Sequence, residues 1–207
     1  MMQGMSLVAR LSDRIRSTAG GRRGAALPVP PVGFTDGTIA LRQWRPSDGL
    51  HLASLCADDE IRRWTSVPHD YRTHQAAGRA AYAEAERLAG RGVHLAITDA
   101  HDAVLLGAVD LVVPGPARDR ARVSFLLGAE HRGQGYATRA VRLLDAWAFG
   151  AVGVQVLELH PQEGNAAAIA TAARAGFAAE TSDPGPGPDG RLRLARRQGD
   201  PVPAADA

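Results

Sequence analysis

The chain has 207 residues, of which 45% are hydrophobic and 22% charged, as expected for one globular domain with an ordinary core. Its one cysteine, Cys56, excludes an intramolecular disulfide, and no stretch approaches the roughly 20 apolar residues of a membrane span. We therefore expect a cytoplasmic protein with no membrane partner. Abundant alanine and arginine, with no lysine, are typical of a high-GC bacterial coding sequence.

Positive charge is concentrated near the start of the chain. Residues 1–33 contain five arginines and one aspartate, a net charge of +4, whereas the whole chain carries +2. The remainder is close to neutral, which argues against a nucleic-acid groove in the folded part. We expect no nucleic-acid partner.

The composition divides the chain into three regions. Residues 1–33 have leucine and isoleucine at helical spacing and then become rich in Gly, Arg and Pro, which indicates a disordered leader, with a targeting peptide as the alternative. Residues 34–198 are predicted to form the domain. Residues 199–207 are predicted to be a disordered tail.

The first part of the domain mixes one strand with helices. Ile39 and Leu41 alternate with polar residues, which predicts a strand, and a short helix follows with Ser47 or Asp48 as its N-cap. A polar segment then runs to Pro68. The alanine-rich residues 72–90 predict one helix that ends at a glycine.

The second part alternates between strand and helix patterns. Three strands joined by short turns are predicted to form an antiparallel meander, at residues 93–98, 103–113 and 120–128. A helix, a strand and a second helix follow, at residues 135–150, 154–160 and 164–176. A proline- and glycine-rich loop and a last strand occupy residues 183–198.

A glycine-rich hinge joins the last strand of the meander to the helix that starts near Gly135. If the chain turns at Gly133 and Gly135, the N–H groups from Gly133 to Thr138 can surround a phosphate, with Arg132 adding positive charge. The alternative is an ordinary strand-to-helix turn. The hinge is thus a candidate phosphate site whose confirmation depends on its context.

Two common phosphate motifs do not fit this hinge. A dinucleotide-binding turn has a third glycine where this chain has Thr138, and it follows parallel strands instead of hairpins. A kinase-type phosphate loop requires a lysine, which this sequence lacks.

The order of the elements, with the hinge Arg-Gly-Gln-Gly-Tyr-Ala at residues 132–137, resembles the GNAT superfamily of N-acetyltransferases. The hinge matches that superfamily's pattern Gln/Arg-x-x-Gly-x-Gly/Ala, and the block LELHPQEGNAAAIATAARAGF is similar to its later strand, loop and helix. LRQWRPSD and RRWTSVPHDY resemble ribosomal-protein N-terminal acetyltransferases of the RimJ/RimL type. The resemblance covers residues 38–197 and implies an α/β (α+β) fold with a mixed, mostly antiparallel, splayed sheet flanked by helices.

The resemblance also implies a cosubstrate, acetyl-CoA, and the residues that hold it. The hinge residues would bind the pyrophosphate, namely Arg132, Gly133, Gln134, Gly135, Tyr136, Ala137 and Thr138. Phe125 and Leu127 would lie along the pantetheine arm, and Asn165 would help to hold that arm. The alternative for Asn165 is a helix N-cap, and both roles are compatible.

The implied reaction transfers an acetyl group to a primary amine, on a protein N-terminus or a small molecule, by direct attack in a ternary complex. Relatives often place a tyrosine or a serine on the helix after the asparagine to protonate the leaving thiolate, where this chain has Ala172 and Ala168. Water could supply the proton instead. The resemblance leaves a monomer and a homodimer equally open.

Three polar residues are candidates for the base that deprotonates the amine. Glu158 and His160 share one face of a predicted strand, and Glu163 lies in the following loop. The alternative is that all three are ordinary surface residues. A further alternative is that activity has been lost, leaving a catalytically silent acyl-CoA-binding or partner-binding protein.

The remaining conspicuous residues carry weaker signals. His94 and His101 show no metal-ligand spacing with Cys56 or with acids, so we expect no metal. Trp64 and Thr65 lie in the segment that, in the resembled group, walls the acceptor site, although packing is the ordinary role of such a tryptophan.

Overall fold

Seven strands form a single sheet in the computed structural model, which describes residues 25–68, 71, 73–115, 117–180, 189–201 and 203. The strands are β1 (Ile39–Gln43), β2 (Gly92–Asp99), β3 (Leu105–Val112), β4 (Arg120–Leu127), β5 (Val156–Leu159), β6 (Ala178–Ala179) and β7 (Leu194–Arg197). Their order is β1-β2-β3-β4-β5-β7-β6, and all neighbours are antiparallel except β4 and β5. This mixed sheet flanked by helices confirms the predicted fold class.

Six α-helices flank the sheet in the described part of the chain. They are α1 (Gly49–Leu55), α2 (Asp59–Trp64), α3 (Thr73–Ala77), α4 (Arg79–Leu88), α5 (Tyr136–Trp147) and α6 (Ala166–Arg174). A π-helical turn, Ala148–Val152, continues α5. None of these helices has the length and hydrophobicity that a membrane span requires.

The two faces of the sheet pack against different helices. The main core joins the strands to α5 and includes Leu95, Val109 and Leu144, which are fully buried. A second cluster around Trp44 and Cys56 joins residues of α1 and α4 to the opposite face of β2 and β3. Both faces of this half of the sheet are therefore covered.

The burial patterns of the strands show where the covering stops. In β2 every residue from Gly92 to Thr98 is buried, as expected for a strand covered on both faces. In β4 buried residues alternate with exposed ones, and Arg122 and Ser124 face solvent. One face of the sheet is thus open at β4. Its neighbour β5 is the strand that pairs with it in parallel.

Several helix boundaries differ from the sequence prediction. The predicted helix at residues 72–90 is divided at Gly78 into α3 and α4, and the polar segment after Asp58 contains α2, whose N-cap is the Asp58 carboxylate. The helix predicted to end at Gly150 instead continues through the π-helical turn to Gly153. Gly153 has φ +80°, the left-handed conformation that ends many helices.

The packed chain extends beyond both predicted domain boundaries. Leu27, placed in the disordered leader, is 1% exposed, and its N–H donates to the Arg87 carbonyl at 2.9 Å. Pro203, placed in the disordered tail, accepts a hydrogen bond from Arg142 at 2.9 Å. Residues outside the predicted range 34–198 therefore contact the folded domain, which composition could not reveal for Gly- and Pro-rich segments. Residues 1–24 and 204–207 lie outside the described residues.

Candidate acetyl-CoA site

Strands β4 and β5 pair only at their beginnings. Arg120, Ala121 and Arg122 lie opposite Val156, Leu157 and Glu158, whereas the other edge of β4 pairs with β3 as far as Leu127. Residues 123–127 consequently have no neighbouring strand on the β5 side within the described chain. This opening is the splay that the resemblance implies, and it ends at the hinge.

Two residues expected to contact the cosubstrate lie beside the opening. Leu127 is 8% exposed in the main core, and Phe125 is partly buried against the same core. Their packing fixes the free stretch of β4 against the helix side of the sheet. An extended ligand could therefore lie along the edge of this stretch and hydrogen bond to its backbone.

The hinge turns through two left-handed glycines. Gly133 has φ +75° and Gly135 has φ +77°, and Gly135 is the N-cap of α5. A Cβ at either position would have no atom within 4 Å, so the requirement for glycine here comes from backbone conformation and not from lack of space.

The hinge presents a series of free backbone donors. Among the described residues, none accepts a hydrogen bond from the N–H groups of residues 133–138. N–H groups at a helix start, assisted by the helix dipole, favour an anion. The Thr138 side chain is buried, and its hydroxyl has no hydrogen-bond partner in the same part of the chain. The residues present therefore fit a phosphate group.

Two hinge side chains are engaged elsewhere. The Arg132 guanidinium donates to Asp58 Oδ1 at 2.5 Å and to the Leu127 carbonyl at 3.2 Å, and Gln134 donates to the Glu130 carbonyl at 2.9 Å. Although burial raises the pKa of Asp58, the hydrogen bond from Arg132 holds it below its usual value. Phosphate binding would therefore depend chiefly on backbone N–H groups, with Arg132 joining the hinge to the start of α2.

Asn165 occupies the N-cap of α6. Its side-chain oxygen accepts a hydrogen bond from the Ala168 N–H at 3.0 Å, which is the capping role considered in the sequence. Ala172, on the same helix, is fully buried in the main core. A larger side chain at that position would require the core to rearrange.

Glu158 and His160 lie together on the open face of the sheet. Glu158 Oε2 lies 3.1 Å from His160 Nε2, and Glu158 Oε1 accepts a hydrogen bond from Arg120 at 2.6 Å. Burial and the nearby charge of Arg122 lower the pKa of His160, which Glu158 opposes. When the ring is neutral, Nε2–H donates to Glu158 and Nδ1 is left as an acceptor. Glu163 is exposed in the following loop.

Trp64 connects α2 to the loop before α6. Its indole N–H donates to Glu60 at 2.6 Å, and the Arg63 guanidinium lies 4.6 Å from the centre of the ring. A Cβ on Gly164 would lie 3.3 Å from the edge of the indole. The partly exposed Trp64 thus stands beside Gly164, the residue that precedes Asn165.

Two partners of site residues are distant along the chain and could not be identified from the sequence. Asp58, which holds Arg132, gives no signal because the two residues are 74 positions apart. Glu180 was also missed, and it binds Arg120 at 2.8 Å. The alternation of Arg120, Arg122 and Ser124 along β4 could have indicated the open polar face. Within the described residues, no group of His, Cys, Asp or Glu side chains could hold a metal ion.

Comparisons with known proteins agree with a fold in which β4 and β5 separate in front of the hinge. The sequence model of the acetyltransferase (GNAT) domain matches residues 38–178. No curated protein matches the chain.

Solved structures share the fold at low sequence identity. Mycobacterium smegmatis RimJ in complex with CoA-disulfide is 21% identical, with a TM-score of 0.65 over 78% of this chain and 82% of that one. Vibrio cholerae spermidine N-acetyltransferase in complex with CoA and spermine is 17% identical, with a TM-score of 0.66 over 80% of this chain and 98% of that chain. RimL, the ribosomal L7/L12 α-N-protein acetyltransferase, is 16% identical, with a TM-score of 0.68 over 83% of this chain and 97% of that chain.

The domain match extends from just before β1 to β6 and includes the split pair of strands and the hinge. More than half of the sequence is matched, and the fold agrees independently. The chain belongs to the GNAT acetyltransferase family.

Proposed function

We propose that this protein is an acetyl-CoA-dependent N-acetyltransferase that acetylates a primary amine by direct attack in a ternary complex. The observation that carries the proposal is the series of free N–H groups at residues 133–138, placed where β4 and β5 separate. It is supported by family membership and by structural neighbours that are complexes with CoA.

The chain offers contacts for the pyrophosphate and for the pantetheine arm of acetyl-CoA. The N–H groups of the hinge and the Thr138 hydroxyl would hold the pyrophosphate, and the free edge of β4 at Phe125 and Leu127 would hold the pantetheine arm. The Asn165 oxygen caps α6, so its NH₂ group is available to donate to that arm. These contacts would place the thioester in the opening between β4 and β5.

His160 is the base that the geometry supports best. Its lowered pKa keeps the ring neutral near pH 7, and Glu158 orients it by accepting from Nε2. As the neutral amine nitrogen attacks the thioester carbonyl, it would pass its excess proton to Nδ1, directly or through one water. The C–S bond then breaks to leave the amide, and the thiolate takes a proton from water, because Ala168 and Ala172 have none to give; the proton on His160 returns to the hydroxide so formed.

The acceptor would enter from the open face of the sheet, beside Trp64 and Arg122. We infer a primary amine, on a protein N-terminus or on a small molecule. The neighbours include enzymes of both kinds, since RimL is an α-N-protein acetyltransferase and the spermidine enzyme was captured with spermine.

A second candidate function is catalytically silent acyl-CoA binding. It is favoured by alanine at both positions where relatives often have a proton donor, with Ala172 sealed in the core.

One experiment separates the two functions. The thermal stability of the full chain is measured with and without acetyl-CoA, and the release of free thiol is then followed over a panel of amines and N-terminal peptides. Binding raises the melting temperature by mass action whether or not transfer follows. A shift with turnover supports the transferase, a shift without turnover supports the silent binder, and no shift contradicts both.

A further inference from the structure

Arginine side chains border the face of the sheet at which the acceptor would enter. Arg122 of β4 lies opposite Glu158 in the short parallel pairing with β5, so the two side chains are on the same face of the sheet. Arg122 is exposed, and it is the last residue of β4 that pairs with β5. It therefore lies at the closed end of the opening between the two strands, on the face that is open to solvent.

A second arginine lies on the other side of His160. The Leu192 N–H donates to the Pro161 carbonyl at 2.9 Å and continues the register in which β5 pairs with β7. In this register Arg193 lies opposite His160, and Arg193 is exposed. Besides burial, the charges of Arg122 and Arg193 lower the pKa of His160. His160 is thus flanked by positive charge on both sides.

The acidic residues on this part of the sheet are engaged by other groups. Glu158 Oε1 accepts a hydrogen bond from Arg120 at 2.6 Å, and Glu158 Oε2 lies 3.1 Å from His160 Nε2. Glu180 accepts a hydrogen bond from the same arginine at 2.8 Å. Among the residues that the structure describes, no acidic side chain forms an ion pair with Arg122. Its guanidinium is therefore able to bind an anionic group of a ligand.

These charges favour one class of acceptor over another. A guanidinium binds a carboxylate through two parallel hydrogen bonds, whereas a polycationic amine would be repelled by Arg122 and Arg193. If an acceptor has a carboxylate close to its amine, binding of the carboxylate to Arg122 would also hold the amine nitrogen near His160, the proposed base. The arrangement would thus position the nitrogen as well as select the acceptor.

We propose that the acceptor is a primary amine with a carboxylate group close to the amine, and that Arg122 binds this carboxylate. Two sources supply this chemistry, namely the α-carboxylate of a free amino acid and the acidic side chain of a peptide that begins with Asp or Glu. The inference rests on the proposed function, because it names the class of amine that the transferase acetylates. Arg122 then determines specificity, whereas His160 takes the proton.

The test compares acceptors in matched pairs, with acetyl-CoA and the full chain, by following the release of free thiol. Each α-amino acid with a primary amine is paired with its α-amide, and tripeptide amides that begin with Asp or Glu are paired with those that begin with Asn or Gln. The ratio of kcat/KM within a pair measures the preference for a carboxylate. The preferred source should show a ratio of about tenfold or more, as expected for hydrogen bonds to a charged group.

Arg122→Gln should lower kcat/KM for the preferred carboxylate acceptor by about tenfold or more, and for its amide by less than about twofold. Because both proteins are measured on the same pair, differences in basicity between the two amines cancel. Arg45→Gln is the matched control, since Arg45 is an exposed arginine that follows β1, at the far edge of the sheet from β5. It should keep the ratio of the natural chain, and both variants should keep its affinity for acetyl-CoA, measured by isothermal titration.

Three results would count against the proposal in distinguishable ways. If transfer occurs and the amide of every productive pair reacts as well as the acid, or if spermidine reacts better than every acid, the inference is overturned and the proposed function stands. The same conclusion follows if Arg122→Gln slows acid and amide equally. If the chain binds acetyl-CoA and acetylates no amine of the panel, the proposed function itself is contradicted, and the inference fails with it.

Discussion

Gly135 holds the backbone conformation on which the hinge depends. With φ +77° it occupies the left-handed region, and its position at the N-cap of α5 directs the free N–H groups that follow. Gly199 has φ +92° and equally open surroundings, but it lies in an exposed turn after β7. The two glycines share a conformational requirement, and only Gly135 lies in the hinge.

This pair gives the first prediction. Alanine at Gly135 and at Gly199 should each lower the free energy of unfolding by about 1–2 kcal/mol, because a Cβ strains the left-handed conformation. Only Gly135→Ala should weaken acetyl-CoA binding, by about tenfold or more, which corresponds to at least 1.4 kcal/mol. Isothermal titration measures the affinity. Equal loss of affinity in both variants would show that the effect is general destabilisation.

His160 gives a prediction about pH. Since burial and Arg122 lower its pKa, the neutral ring should persist below the usual value of 6.5, and the acid limb of the kcat profile should lie below that value. His160→Gln should reduce kcat by about 100-fold and remove that limb.

Glu163→Gln is the matched control, because Glu163 is exposed and should not affect kcat. If Glu163→Gln abolished transfer and His160→Gln did not, Glu163 would be the base.

Helix α5 is joined to the last strand by a buried ion pair. Arg196 of β7 donates to Asp145 Oδ2 at 2.8 Å, and Asp145 is 1% exposed. Burial raises the pKa of Asp145 to about 7, although the Arg196 charge opposes the rise. The other carboxylate oxygen has no partner in the described residues, which is consistent with a carboxyl group that binds a proton readily.

The raised pKa of Asp145 predicts how stability depends on pH. The folded state binds a proton on Asp145 at a higher pH than the unfolded state does. The contribution of this proton to the free energy of unfolding is therefore present at low pH and is lost as pH rises through about 7. The free energy of unfolding should fall by about 2 kcal/mol between about pH 5 and about pH 8, relative to Asp145→Asn. Parallel pH profiles of the two proteins, from urea denaturation, would contradict the assignment.

Elements with strong local signals were predictable from the sequence. The alternation at Ile39 and Leu41 and the three meander runs predicted strands. The hinge at Gly133 and Gly135 could be singled out as a candidate phosphate site because all its groups lie in one segment. Short helices such as α2 have too few residues for a periodic signal, and the helix end at Gly153 was missed because the π-helical turn passes through Gly150.

The long-range part of the site was not predictable. The pairs Arg132–Asp58 and Arg120–Glu180 depend on how distant segments pack, which no single stretch of sequence records. Glu158 and His160 were placed on one face by strand alternation, and their contact follows from that geometry.

The molecule as a whole includes a segment that composition assigned to a leader. Leu27 is fully buried in the main core, whereas Val32, five residues later, is fully exposed. Leu27→Ala should lower the free energy of unfolding by about 2–4 kcal/mol through loss of buried surface and creation of a cavity. Val32→Ala should change it by less than about 0.5 kcal/mol. Chemical denaturation measures both, and equal values would mean that Leu27 does not pack in solution.

The proposed binding of acetyl-CoA through the hinge amides links the fold and the family to the proposed activity. An NMR titration of the ¹⁵N-labelled protein can compare acetyl-CoA with S-acetylpantetheine, which carries the thioester and lacks the pyrophosphate. We predict that acetyl-CoA shifts the amide signals of residues 133–138 and that S-acetylpantetheine leaves them in place. Binding of acetyl-CoA with those signals unmoved would contradict the assignment of the hinge as the pyrophosphate site.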